Sequence, residues 1–305
     1  MARPPHGVRA VAARQVGTGA AGEAPCRVVE EAALVLAVED VGDYTLMWTP
    51  TEPVATPCGF VPEDGVLADG GVPEILALAA GFAFSEGLFA SVGEIRSLTV
   101  CADDPAVVRL VLTDPGRIRA RRRNVTVASS CGICGGQERI EDLLQGLPAV
   151  GDSLRLEAGR LDEVMATMRQ RQAIWLATGG THAAAIFDRN GQILVAAEDL
   201  GRHNALDKAI GHCLLAGLPL AGCGAVLTSR VTLEMAAKAA RAGLELVAAV
   251  SAASSLAIEA AERLGITLCG FVRNGRATVF SHGRRLLAGP AGADAGTAVP
   301  PRHIA

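Results

Sequence analysis

The sequence predicts an α/β protein, with a smaller β-rich region followed by a helix-covered sheet. Three observations support this. From about residue 161 to 287, short apolar runs alternate with helix-length amphipathic runs, the pattern of a sheet sandwiched by helices. Two Asn-Gly pairs, Asn190-Gly191 and Asn274-Gly275, separate neighbouring apolar runs, as tight hairpin turns do. The chain is 50% hydrophobic but only 3% aromatic, with 35 glycines, so its core should pack through small side chains.

The elements follow in order. Residues 1–26 are rich in Ala, Gly, Pro and Arg and read as a flexible tail. Residues 27–155 form the expected β-rich N-terminal domain. It has strands over 32–38, 44–48, 95–101 and 107–112, a helix over 73–86, and a Pro-, Gly- and Asp-rich loop over 51–72. Residues 156–287 form the expected α/β domain. Its helices fall near 161–176, 204–216, 233–242 and 254–264, the last two closed by Gly243 and Gly265. Its strands fall at 183–187, 192–197, 225–228, 246–250, 267–272 and 277–281. Residues 288–305 read as a second flexible tail.

Composition excludes several classes. A net charge of −4 argues against a nucleic-acid or membrane-surface partner. No run approaches the ~18 apolar residues of a membrane span, and the N-terminus lacks the apolar core of a secretory signal. Eight cysteines in a chain this long are too few for a disulfide scaffold, so a reducing, cytoplasmic setting is expected.

Cys131 and Cys134 form the one tightly spaced cysteine pair, in Ser129-Ser130-Cys131-Gly132-Ile133-Cys134-Gly135-Gly136. The serines and glycines place it on a mobile loop. A helix expected over 137–144 would turn its positive end toward Cys134 and lower a thiol pKa. Arg117, Arg119, Arg121, Arg122 and Arg123 lie just upstream, and four of them would share one face of a strand. That face would favour a thiolate or hold a phosphorylated ligand, though charge runs are more often a solvated face. Zinc is disfavoured, because there is no second CxxC, no His is followed by x-Glu, and Ser130 rather than Pro precedes Cys131. No structural metal is expected. The pair is compatible with both sulfur carriage and thiol–disulfide exchange.

Three further motifs bear chemistry. Thr178-Gly179-Gly180-Thr181-His182 could cradle a phosphate or a carbonyl, or could simply cap a helix. Glu198 to Lys208 crowds Asp199, Arg202 and His203 at a strand-to-helix junction, where α/β folds bind ligands. The plainer alternative has Asn204 capping the helix and Asp207 and Lys208 in solvent. Phe271-Val272-Arg273-Asn274-Gly275-Arg276 is a hairpin turn with two arginines, suited to an anionic planar ligand or to no ligand at all.

Together with Ser229-Arg230, Glu234-Met235, Lys238, Val250-Ser251-Ala252 and Ser255-Leu256-Ala257, these motifs resemble the FdhD family, the sulfurtransferases that mature formate dehydrogenases. Gly81-Phe82 with Ser85-Glu86-Gly87 also fits. The resemblance runs from about Val28 to Leu287. It implies a cytidine-deaminase-like, three-layer C-terminal domain without the deaminase zinc, and a homodimer. It also implies that sulfur is accepted as a persulfide from a cysteine desulfurase and passed to the bis-molybdopterin guanine dinucleotide form of the molybdenum cofactor. On that basis Cys131 carries the sulfur and Cys134 assists. Residues 271–276 hold the cofactor with Arg202, His203 and residues 178–182. A longer segment between Pro50 and Gly81 departs from the family pattern and puts the local packing there in doubt. Thiol–disulfide oxidoreductase and non-catalytic cofactor chaperone remain the alternative functions.

Overall fold

The computed structural model describes residues 4–17, 22–54, 58–67, 71–117, 125–127, 141 and 144–288. Both cysteines of the CxxC pair, Arg119 to Arg123 and nearly all of the helix expected after the pair lie outside this set, as do residues 289–305.

Two large sheets dominate. The first has seven strands in the order β6-β5-β7-β8-β3-β4-β9. They are β3 (Ala32–Val38), β4 (Gly42–Trp48), β5 (Gly59–Val61), β6 (Gly65–Leu67), β7 (Ile95–Val100), β8 (Val107–Leu112) and β9 (Val125–Val127). Alternate residues of β3 point inward, and Leu34, Leu36 and Val38 are buried, as expected of a sheet with one covered face. The second sheet has six strands in the order β12-β11-β13-β14-β15-β16. They are β11 (His182–Phe187), β12 (Ile193–Asp199), β13 (Gly224–Leu227), β14 (Leu246–Ala249), β15 (Thr267–Arg273) and β16 (Arg276–Ser281). The central β13, β14 and β15 are parallel; the flanking pairs are antiparallel.

Helices cover both faces of the six-stranded sheet. On one face α2 (Arg160–Gln170) packs Leu161, Val164, Met165 and Met168 against Ala183, Ala185 and Phe187. On the other lie α4 (Arg202–Leu215), α5 (Leu233–Arg241) and α6 (Ser255–Leu264), over Ala184, Ile186, Leu227 and Val247. Beyond them α1 (Glu74–Ser85) is buried on all sides, between α4 and the seven-stranded sheet. Its contact with α4 requires glycine from both helices. A Cβ at Gly81 would lie 1.8 Å from the Asp207 carbonyl oxygen, and one at Gly211 would lie 1.9 Å from that of Ala77.

One continuous core therefore joins the two expected domains. The boundary expected at 155/156 is also blurred. Ser153 and Leu154 donate backbone N–H bonds to Glu245, and β10 (Leu156–Glu157) pairs in parallel with β17 (Leu286–Leu287).

Four expectations need correction. The tail expected over 1–26 contains β1 (Val8–Gln15), which pairs with β2 (Gly22–Val29) as an antiparallel hairpin. Its base is fixed by tertiary contact: Gly7 packs under Pro50 and Ile174, and Gly180 packs against Val29. The loop expected over 51–72 contains β5 and β6, which extend the sheet beyond β7. The single helix expected over 161–176 is two, because the chain breaks at Arg171–Gln172 and restarts as α3 (Ala173–Thr178). Glu198 causes the restart by accepting the Ile174 and Trp175 N–H groups at 3.0 and 2.9 Å. Finally, α4 begins at Arg202 behind an N-cap Gly201, so Asn204 is not the cap.

Candidate functional site

Strand direction gathers the motifs at one sheet edge. His182 opens β11 and pairs with Asp199, which closes β12. The parallel strands β13 and β14 end in the same direction, followed by Thr228 to Thr232 and Val250 to Ser254. These two loops are laced together: Val231 donates to the Ala252 carbonyl, Ser254 donates to the Val231 carbonyl, and Phe271 of β15 donates to the Ser251 carbonyl. The carboxyl ends of parallel strands are the usual ligand site of such sheets.

Two buried lysines fix this edge from behind. Asp199 is fully buried. Its carboxylate accepts the Gly201 N–H at 2.8 Å, the Asn204 side-chain amide at 3.1 Å, the Thr49 N–H at 3.0 Å and the Lys208 ammonium at 2.8 Å. Lys208 also reaches Glu74 at 2.8 Å and the carbonyls of Thr49 and Glu198, and lies over the Trp48 ring. Burial works against its charge, yet Asp199 and Glu74 together hold its pKa above the ordinary lysine value. The adjacent Asp207 accepts from Ser85 and pairs with Lys238 at 2.6 Å. Asp207 and Lys208 are therefore buried ion-pair members rather than solvated. The first turn of α4 is thereby held in place.

That turn presents Arg202 and His203. His203 lies 2.9 Å from Glu234 at the start of α5. The Arg202 Nε is buried and has no hydrogen-bond partner among the described residues. His182 sits in the same field. Burial first, then the charges of Arg202 and Arg230, lower its pKa, with a smaller opposing effect from Asp199. A half-buried neutral imidazole beside two guanidiniums makes a donor-rich, cationic edge.

The Thr178–His182 segment contributes less than its composition suggests. Thr178 Oγ1 donates to the Ile174 carbonyl and accepts from Gly180 N–H, while Thr181 Oγ1 donates to Glu198. Both hydroxyls are engaged within the protein, and Gly179 closes α3 in the left-handed conformation at φ 69°. His182 is the group this segment turns toward Arg202 and Arg230.

The Phe271–Arg276 turn is built as expected. Asn274 and Gly275 both take positive φ, 54° and 71°, as a tight hairpin requires. Phe271 also has positive φ, 55°, an uncommon state for an aromatic residue. Arg273 and Arg276 stand directly opposite each other, both exposed. The tip is tied to α2 by the Gly275 N–H donating to Asp162, rather than to Arg202 or His203. Arg230 and Glu234 belong to the edge although the site expected from sequence omits them. The available signal was their position just after a strand, in the motif Ser229-Arg230.

Four of the described cysteines, Cys58, Cys213, Cys223 and Cys269, are buried and poor carriers. Burial pushes the thiols of Cys213 and Cys269 up to about 12 and also raises those of Cys58 and Cys223. Among the described residues no group of three or more His, Cys, Asp or Glu is arranged to hold a metal, and no helix is long and apolar enough to cross a membrane.

A family model described as FdhD/NarQ matches residues 70–287. The sulfur carrier protein FdhD of Bordetella bronchiseptica is 40% identical over 214 residues, 69% of this chain and 77% of that protein. The protein of the same name from Thermoplasma acidophilum is 38% identical over 216 residues, 69% of this chain and 75% of its own. A crystal structure provisionally assigned as a formate dehydrogenase accessory protein from Desulfotalea psychrophila superposes with a TM-score of 0.70 at 22% identity, covering 92% of this chain and 99% of that one. It has the same mixed α/β fold with several sheets. The chain belongs to the FdhD/NarQ family.

Proposed function

We propose that this protein is a sulfur carrier for formate dehydrogenase, with Cys131 as the carrying residue. The observation that supports this best is the cationic edge: His182, Arg202 and Arg230 converge where the parallel strands end. Such an edge suits the phosphates of an anionic acceptor, the bis-molybdopterin guanine dinucleotide cofactor, and the relatives' shared name supplies the sulfur chemistry. The opposed Arg273 and Arg276 add to the reading. Like charges directly across a ladder are unfavourable by a few tenths of a kcal/mol to about 1 kcal/mol, so an anion bound between them would relieve that cost.

The chemistry runs in two steps. The Cys131 thiolate takes the outer sulfur of a persulfide on a cysteine desulfurase; the donor's S–S bond breaks and its cysteine leaves as a thiolate. Cys134 thiolate then attacks the Cys131 sulfur. This releases hydrosulfide toward the acceptor and leaves a Cys131–Cys134 disulfide, which a cellular thiol reductant resets. Thr178 to His182, Arg202, His203 and residues 271–276 hold the acceptor meanwhile. The six-stranded sheet would be a deaminase-type scaffold reused without its zinc, in a cytoplasmic homodimer.

Formate dehydrogenase produced in cells carrying each variant tests the assignment. Cys131→Ala should abolish its activity, and Arg202→Ala should lower it at least tenfold. Full activity with Cys131→Ala would instead favour a chaperone that only binds cofactor. Thiol–disulfide exchange on a model substrate, with no sulfur taken up by Cys131 from a desulfurase, would favour an oxidoreductase.

A further inference from the structure

The hairpin of β1 and β2 is a two-stranded sheet of its own, paired with neither large sheet. Beyond Val8 its residues are exposed or half-buried. A two-stranded hairpin is only marginally stable in water and gains from a third strand. Its two free edges differ, and the hydrogen-bond register shows how.

The Glu30 N–H donates to the Gly7 carbonyl at 2.7 Å, which makes Gly7 and Glu30 a hydrogen-bonded pair. Pair types alternate along an antiparallel ladder. Arg9–Val28, Val11–Cys26 and Ala13–Ala24 therefore turn their backbone groups inward, and Ala10–Arg27, Ala12–Pro25 and Arg14–Glu23 turn theirs outward. Pro25 removes a donor from the middle of the outer edge of β2, a common guard on edge strands. The outer edge of β1 has no such guard. It offers the N–H and C=O groups of Ala10, Ala12 and Arg14 without a proline or a bulge, and its centre, Ala10 to Ala13, is uncharged. Among the described residues no strand pairs with it.

From this asymmetry we infer that two copies of the chain join through β1, antiparallel about a two-fold at Ala12, in one four-stranded sheet ordered β2-β1-β1-β2. Ala12 faces its own counterpart, and Ala10 faces the partner's Arg14. A two-fold makes one residue face itself, so facing residues must have numbers of even sum. Arg9 therefore cannot face the partner's Arg14, and about Ala12 it faces Gln15 instead. Arg14 already stands opposite Glu23 within its own hairpin. The contact also closes. Its outer edges are the two β2 strands, each interrupted by Pro25, so growth stops at two copies. A second copy satisfies the same unpaired edge on both sides in one contact, which a strand of another protein does not. The inference rests on the homodimer of the proposed function and gives it a contact; it needs nothing of the sulfur chemistry.

Analytical ultracentrifugation of the full-length protein and its variants tests this. Ala12→Pro removes an N–H that the hairpin itself does not use, and Ala12→Glu sets two carboxylates face to face. Each should raise the dimer dissociation constant at least tenfold while circular dichroism stays unchanged. Ala12→Glu carries the test if the proline variant unfolds the hairpin. Ala12→Cys should form a disulfide between the two copies. Hydrogen-bonded antiparallel partners lie about 5.5 Å apart at Cα, inside the roughly 4.4–6.8 Å that a disulfide spans. Peptide mapping distinguishes that bond from one at the exposed Cys26. A dimer of unchanged affinity in both variants, with no bond between the introduced cysteines, would overturn the inference and leave the homodimer to another face. A monomer at every concentration would overturn both, and leave the edge to a strand of another protein. Sulfur labelling at Cys131 is read separately, so its failure would count against the proposed function alone.

Discussion

The two large sheets use the same strand physics for different ends. In the seven-stranded sheet β3 and β4 alternate buried and partly exposed residues, and the inward side chains are apolar. In the six-stranded sheet β13 and β14 are buried at every position. A strand covered on both faces can offer a ligand only its end, and there the chain places Asp199, His182, Ser229 and the loop at Ser251. The first sheet is scaffold; the second is scaffold whose edge carries polar chemistry. The two meet through α1 and α4 and through Lys208, which joins Thr49, just after β4 of the first sheet, to Asp199 of the second.

That difference gives graded predictions. The largest effect should come from Lys208→Met, which leaves Asp199 and Glu74 buried without their cation. Removing one partner of a buried pair costs about 3–5 kcal/mol, measurable by urea unfolding. Gly81→Ala should follow. Its added methyl meets the α4 backbone rather than a yielding side chain, and such overpacking costs about 1–3 kcal/mol. Glu163→Ala is the surface control. Its pair with Arg160 is exposed, and losing it should change stability by about 0.5 kcal/mol or less.

His182 links the edge to pH. Its imidazole is held below the ordinary range by burial and by Arg202 and Arg230, so it is neutral at pH 7 in the free protein. A bound phosphate supplies negative charge and raises that pKa, so binding takes up a proton. Affinity for guanine nucleotide should therefore strengthen as pH falls from 8 to 6, and His182→Gln should flatten the slope. A slope unchanged in the variant would remove His182 from the edge. The sign for stability is opposite: the unfolded chain binds the proton more readily, so His182 withdraws stability as pH falls through 6.5.

Much of this was legible in the sequence. The alternation after residue 161 located every strand of the six-stranded sheet, because strands and helices of that length have different periods. Asn274-Gly275 located its hairpin turn. Legibility stopped where distant partners decide. Glu198 divides the helix expected over 161–176 from more than twenty residues away in sequence. Lys208 looks like a surface lysine until Thr49, Glu74 and Asp199 surround it. The hairpin of β1 and β2 is hidden because most of its residues are exposed, leaving no apolar stripe to read. The motifs announced chemistry, but only strand direction showed that His182, Arg202 and Arg230 share one edge, and that Thr178 and Thr181 point their hydroxyls into the protein.

The central claim is that Cys131 carries the sulfur, and one measurement addresses it most directly. The protein is incubated with a cysteine desulfurase and isotopically labelled cysteine, then digested and mapped by mass spectrometry without reduction. The account predicts one labelled sulfur atom on Cys131, absent from Cys131→Ala, with Cys213 and Cys269 unlabelled behind thiols pushed to about 12. Label absent from both Cys131 and Cys134 would contradict it.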